Sequence, residues 1–240
     1  MHFANVDGQR LPAEPGLSGE CPSCRKPMVA RCGTRRVWHW AHKGVRCDDW
    51  WEPETGWHRA WKDEFPADWQ EVIHRSDTGE RHIADVRTPH GLVIEFQHSR
   101  LPPEERSARE NFYGNMVWVV DATRLDRDVT RFLEFKDYFH PTHLGGIAVC
   151  NFSRCFPADW SWSSVLVVFD FAQEQGASDA ELWCLLPGRV DRGRMLVAPL
   201  PRDEFVRMAR EQSFIFESEG IMAEMAEHYR KEEALWFGRR

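Results

Sequence analysis

Three alternating segments between residues 70 and 98 constrain this chain more than any other feature. Gln70 to Arg75 reads with period two, and Ser76-Asp77-Thr78-Gly79 is a turn. Glu80 to Arg87 repeats the pattern, Pro89-His90-Gly91 turns again, and Leu92 to His98 is a third strand. Three strands joined by tight turns make a meander. Ahead of it, Trp57, Trp61 and Phe65 recur four apart after Asp48-Asp49, which predicts a helix over 52–65 that Pro66 stops. Behind it, Pro102-Pro103-Glu104 opens a helix to about Tyr113, Gly114-Asn115 ends it, and Met116 to Val120 reads as a buried strand. The order helix, three strands, helix, strand predicts an α/β (α+β) fold.

The rest of the chain is less patterned. Residues 1–20 are polar and turn-rich, as a hairpin or a loose lead-in would be. Beyond Arg124 the periodicity predicts a short helix near 128–138 and strands at 164–171, 181–186 and 194–198. Helices follow at about 202–211 and 218–236. We therefore divide the chain into an N-terminal module (1–50), a core (51–125) and a C-terminal α+β extension (126–240).

Composition excludes several classes. The longest apolar runs in the 240 residues, such as Met116 to Val120 and Val165 to Phe169, fall far short of the ~20 residues a membrane helix needs. The start, Met1-His2-Phe3-Ala4-Asn5, has no basic-then-apolar leader, so a cytoplasmic protein without a membrane partner is expected. Seven cysteines, an odd number, fit a reducing compartment better than a disulfide framework. The net charge of −7 rules out a uniformly basic coat but not a local basic patch. Such a patch exists: residues 21–47 carry Arg25, Lys26, Arg31, Arg35, Arg36, Lys43 and Arg46 and no acidic side chain.

The same segment holds the soft metal ligands. Cys21-Pro22-Ser23-Cys24 is a chelating turn, and Cys32, His39, His42 and Cys47 follow within reach. Thiolates combined with imidazole favour structural Zn²⁺. The preferred set is Cys21, Cys24, His42 and Cys47, with His39 beside His42 as the alternative; Cys32 sits in a turn, Arg31-Cys32-Gly33, by this reading and is left out.

The carboxylates of the meander are sparse and well placed. Asp85 stands at the centre of an apolar strand, in Ile83-Ala84-Asp85-Val86. Glu95 and Gln97 share one strand face, while Ile94 and Phe96 face a core expected against the second helix. Two carboxylates on adjacent strands are the minimum for Mg²⁺ or Mn²⁺, which take oxygen ligands. On the first predicted helix Glu54, His58 and Lys62 are four apart on one face.

In order and spacing, Cys21-x-x-Cys24, His39-x-x-His42, Glu54-x-x-x-His58-x-x-x-Lys62, Ala84-Asp85, Glu95-x-Gln97-x-Ser99, Arg109-x-x-x-Tyr113 and Trp118 resemble the CoiA-like competence-protein family over residues 20–122. That family is assigned to the PD-(D/E)xK nuclease superfamily. The resemblance implies a nuclease core and a Mg²⁺-dependent phosphodiesterase with Asp85 and Glu95 as metal ligands. Gln97 departs from the lysine commoner in the superfamily, and Lys62 is expected to supply that charge. His82 stands where relatives tend to carry arginine and is expected on the strand surface; His74, His90 and His98 are read as ordinary structural residues.

The expected reaction is DNA phosphodiester hydrolysis in uptake, recombination or defence. Asp85, Glu95 and the Phe96 carbonyl would hold the cation, and Glu54 or His58 would complete the surroundings or accept a proton. The basic module, with Trp38 and Trp40, would hold single-stranded or branched DNA. Two other classes compete: a non-catalytic nucleic-acid-binding accessory protein on a degenerate nuclease fold, and a zinc-stabilised protein-interaction module.

Overall fold

The computed structural model describes residues 1–171, 181–190 and 193–237. Among them the chain is mixed α+β, with two sheets and six α-helices.

The first sheet uses β1 (Phe3–Val6), β2 (Gln9–Pro12), β3 (Ser18–Glu20), β4 (Pro27–Arg31) and β5 (His39–His42), in the order β2-β1-β3-β4-β5. The β1–β2 hairpin turns at Asp7-Gly8, both with positive φ (49° and 83°), the backbone that an Asp-Gly pair adopts most readily. Ala4, Met28, Trp40 and Cys21 form the small core of this sheet.

The chain then runs through α1 (Gly56–Lys62), β6 (Gln70–Arg75), β7 (Arg81–Arg87), β8 (Val93–Gln97), α2 (Pro103–Tyr113) and β9 (Met116–Asp121). It continues through α3 (Asp126–Phe135), β10 (His140–Pro141), β11 (Ala148–Asn151), α4 (Phe152–Cys155), β12 (Leu166–Asp170), β13 (Glu181–Leu185), β14 (Arg194–Pro201), α5 (Arg202–Glu211) and α6 (Ser218–Phe237). Nine strands form one sheet, β10-β11-β14-β13-β12-β9-β8-β7-β6, so the expected extension 126–240 adds five strands to the sheet that holds the meander. The adjacent pairs β8–β9 and β9–β12 are parallel, and all three strands are buried from end to end. Burial on both faces explains their continuous apolar runs.

Helices cover both faces. Trp57 and Trp61 of α1 and Phe205 of α5 pack on one face with Ile94, Phe96 and Val119. Tyr113 of α2, Phe132 of α3 and Phe152 of α4 pack on the other with Val93, Trp118 and Phe169. This corrects one expectation: Ile94 and Phe96 face α1, not the second helix, and the Phe96 ring stacks on Trp61 at 5.7 Å. Strand alternation then turns Glu95 toward α2.

The meander, α2, β9, α5 and α6 match their predicted ranges closely. The first helix does not. It begins at Gly56 rather than 52, with Thr55 as its N-cap, and ends at Lys62. Glu52 precedes Pro53, and a residue before proline is steered out of helical backbone, so the helix cannot start there. Glu54 therefore lies before the helix rather than on its face. At the far side of α1, Asp170 of β12 accepts from the indole N–H groups of Trp57 (3.0 Å) and Trp61 (2.9 Å), with Arg202 at 3.5 Å. These bonds pin α1 over the parallel centre of the sheet.

Candidate functional site

The site is built where β7 leaves its regular ladder. Pairing of β6 with β7 skips the Glu71–Asp85 position, and pairing of β7 with β8 stops at Val86–Ile94, so Asp85 lacks a ladder partner on either side. Glu71 opposite it has φ 48°, a conformation that strains a non-glycine residue. Side chains take over the lost backbone bonds. The Phe96 N–H donates to Asp85 Oδ2 at 3.0 Å, and the Asp85 N–H donates to Glu95 Oε1 at 3.2 Å.

The break opens a cavity of about 370 Å³ that Asp85, Glu95, Lys62, His58 and Glu54 line from the core side. The Lys62 ammonium lies 2.9 Å from Asp85 Oδ1, 3.4 Å from Glu54 and 3.5 Å from Glu71. Burial works against its charge, but Asp85, Glu54 and Glu71 outweigh burial and raise its pKa well above the ordinary value. Glu54 is also buried, yet Lys62 and the Arg59 guanidinium (2.8 Å) hold its carboxyl far below the usual range. So Glu54 meets Lys62 as expected, but from the segment before the helix.

Glu95 behaves oppositely. Burial, reinforced by the neighbouring Asp85 charge, pushes its carboxyl up to about 8 despite Arg109 at 3.2 Å. Arg109 is fixed in turn by the Trp50 carbonyl (2.6 Å) and by Glu105. Tyr113, one helical turn on, also lines the cavity, and burial with Glu95 nearby keeps its phenol protonated.

The oxygen donors fit a divalent cation. Arg59 and Arg109 join Lys62 among the carboxylates, so the fit rests on the donor set and not on a charge deficit. The hard carboxylates of Asp85 and Glu95 are the ligands such an ion prefers.

Two acidic residues that sequence reasoning missed complete the surroundings. Glu52 receives Gln97 Nε2 at 3.1 Å and the Ser99 hydroxyl, and pairs with His58 Nε2 at 2.7 Å. Burial opposes its ionisation, but His58 and Ser99 bring its carboxyl down to about 2. Glu71 receives the backbone N–H groups of His2 (2.6 Å) and Phe3 (3.0 Å), which ties the first strand to the site. The Glu52-Pro53 step and the Thr55-x-x-His58 capping box were the legible signals for a non-helical Glu52. Nothing in the sequence marked Glu71.

Gln97 is buried and tied to Glu52 and to the Ser99 carbonyl (3.0 Å); it is not among the residues lining the cavity. His82 is not a surface residue. Its ring stacks on Trp50 and its Nδ1 lies 2.9 Å from Asp48 Oδ1. Trp118 is a core residue whose indole donates to Glu110 at 3.2 Å.

The cavity continues up to the first sheet, where Arg36, His39, His42, Arg46 and Cys47 form its other wall. There the ligand atoms of Cys21, Cys24, His42 and Cys47 lie within 4.8 Å of one another, an arrangement that could hold a zinc ion. Cys24 Sγ is 3.3 Å from His42 Nε2, and Cys21 Sγ is 3.7 Å from Cys47 Sγ. Burial and the neighbouring Cys21 push the Cys47 thiol up to about 12, so only a bound cation would make it a thiolate near neutral pH. His39 turns away, with Nδ1 2.9 Å from the Val37 carbonyl, and Cys32 is outside the group. Trp38 is half-exposed, whereas Trp40 is buried and donates to the Leu11 carbonyl at 3.0 Å. Trp40 is therefore core and cannot stack on a base.

Residues 20–48 match the family model of the N-terminal domain of competence protein CoiA. That segment is 29 of the 240 residues, and the match supports a likeness to the CoiA-like family there. The matched segment takes in all four clustered ligands and ends at Asp48. No curated protein and no solved structure matches the chain. Among the described residues no helix is long and apolar enough to cross a membrane.

Proposed function

We propose that the chain is a metal-dependent nuclease of the PD-(D/E)xK type, with Asp85 and Glu95 as its cation ligands and single-stranded or branched DNA as its substrate. The observation that carries this reading is the Lys62 ammonium 2.9 Å from Asp85, beside Glu95, at the break in the sheet. A lysine is expected two residues after the glutamate in this superfamily, and α1 delivers the charge instead.

When bound, Mg²⁺ or Mn²⁺ supplies Lewis-acid polarisation of the phosphate and a water acidic enough to attack it. Asp85 and Glu95 offer the oxygen ligands. Lys62 is placed to hydrogen-bond a phosphate oxygen and offset developing negative charge. His58 lines the cavity with both ring nitrogens engaged, Nε2 by Glu52 and Nδ1 by Thr55, and braces its wall. The CoiA module supplies the zinc-binding cluster, seven basic side chains and the half-exposed Trp38, which suit a nucleic-acid backbone with an unpaired base.

One observation favours a second reading, a non-catalytic nucleic-acid-binding protein. The Gln97 N–H groups are taken by Glu52 and Ser99, and Gln97 does not line the cavity, so it brings neither charge nor donor to the site. Incubation of the purified protein with Mg²⁺ or Mn²⁺ and single-stranded, duplex and branched DNA separates the two. Cleavage in either metal supports the nuclease. Retention of DNA without cleavage supports the second reading, and absence of both contradicts both.

A further inference from the structure

Residues 47–52 form neither helix nor strand, yet they touch α1, β7, β8 and α2 of the carboxylate centre. The segment starts at Cys47, one of the four clustered ligands. Asp48 next to it accepts the Ile83 N–H at 2.8 Å, two residues before Asp85 on the same strand, and lies 2.9 Å from His82 Nδ1. The Trp50 ring stacks on His82 and meets the edge of Tyr113, while its carbonyl holds the Arg109 guanidinium that pairs with Glu95. Glu52 accepts the His98 N–H at 3.3 Å and binds His58 and Gln97. Upstream of Cys47, Val45 is 82 % exposed, and Arg46 lies over the Trp51 ring at 3.9 Å.

We propose that residues 48–52 are a positioning strap, through which metal binding at the Cys21, Cys24, His42 and Cys47 cluster sets the geometry of the Asp85–Glu95 centre. The metal anchors the upstream end; the hydrogen bonds of Asp48, Trp50 and Glu52 carry that anchorage to β7, α2 and β8. β7 is unladdered at Asp85, so the strap adds to the two side-chain bonds that stand in there for backbone pairing. Zinc loading then governs the nuclease site without touching its substrate. The inference rests on the nuclease reading only for what the centre does, not for how it is held.

Residue-resolved amide exchange on the full chain tests it, with Zn²⁺ bound and after removal by a chelator. The His98 amide, bonded to the far end of the strap, is the reporter. Removal is expected to speed its exchange about tenfold or more, as loss of one charge-assisted bond would, with β9 and β12 amides unchanged. Acceleration confined to residues 20–47 overturns the proposal. Should removal unfold the module altogether, the zinc-loaded Asp48→Ala protein replaces it. That variant is expected to expose His98 while keeping its zinc, and Asp48→Asn, which retains an acceptor for the Ile83 N–H, is expected to restore protection. An unchanged His98 amide in Asp48→Ala overturns the strap. Cleavage assays run alongside keep the two readings apart. Zinc-dependent protection with no cleavage under any metal leaves the strap standing and removes the nuclease, whereas cleavage indifferent to zinc removes the strap alone.

Discussion

Lys62 is the residue on which most of the site's electrostatics converge. Its ammonium faces Glu54, Glu71 and Asp85 inside the protein, and removing it takes away the one ammonium they share, while Arg59 still holds Glu54. Lys62→Met is expected to destabilise the fold by about 3–5 kcal/mol, the usual cost of breaking a buried ion pair from one side. Urea denaturation measures this, and a loss below about 1 kcal/mol would mean the three carboxylates do not depend on it. Glu95 makes a pH prediction. Its folded carboxyl titrates at about 8, above the ordinary 4.5, so the folded state holds its proton longer than the unfolded chain does. Stability contributed by this residue is therefore present at low pH and lost as pH rises through about 8. In metal-free buffer, Glu95→Gln is expected to match the parent near pH 4.5 and to become the more stable of the two above about pH 8. Parallel stability curves for the two proteins would contradict the raised titration. Asp85, Glu95, Lys62 and His58 were legible in the sequence because charged groups in apolar strands or at helical spacing must be paired. Glu52 and Glu71 were not, because their partners come from segments 6 to 69 residues away or from backbone amides.

At the scale of elements, the two anchors of the site are the Cys21, Cys24, His42 and Cys47 cluster, which could hold zinc, and α1. The Cys-x-x-Cys turn made the first legible, and the structure brings together the preferred four ligands rather than His39. About one zinc per chain is expected in the purified protein, reduced strongly by Cys47→Ser and unaffected by Cys32→Ser; elemental analysis reads both, and equal zinc in all three would remove Cys47 from the set. The helix α1 was legible by its tryptophans but misplaced at its start, because apolar spacing does not register the Glu52-Pro53 step. What the tryptophans share was hidden altogether: Asp170 lies more than 100 residues downstream and satisfies both indoles. Asp170→Leu is expected to cost about 2–4 kcal/mol in thermal or chemical unfolding, since it leaves two indole donors and Arg202 without this acceptor. A neutral effect would show that packing alone holds α1.

At the scale of the whole molecule, the bulk charge of −7 conceals a division of labour. The basic segment 21–47 caps an acidic pocket, and one cavity runs between them. The meander and its flanking helices were legible because period-two and period-four patterns are local. Their union with β12–β14 into a nine-stranded sheet was not, because buried parallel strands carry no pattern that names their partners. Asp85 and Glu95 are proposed as the working centre of a metal-dependent nuclease. The most direct test is the Mg²⁺- or Mn²⁺-dependent cleavage of single-stranded DNA by Asp85→Asn and Glu95→Gln, beside parent protein of equal zinc content. Each substitution is expected to lower the rate by about a hundredfold or more. Undiminished cleavage by both variants would contradict the account.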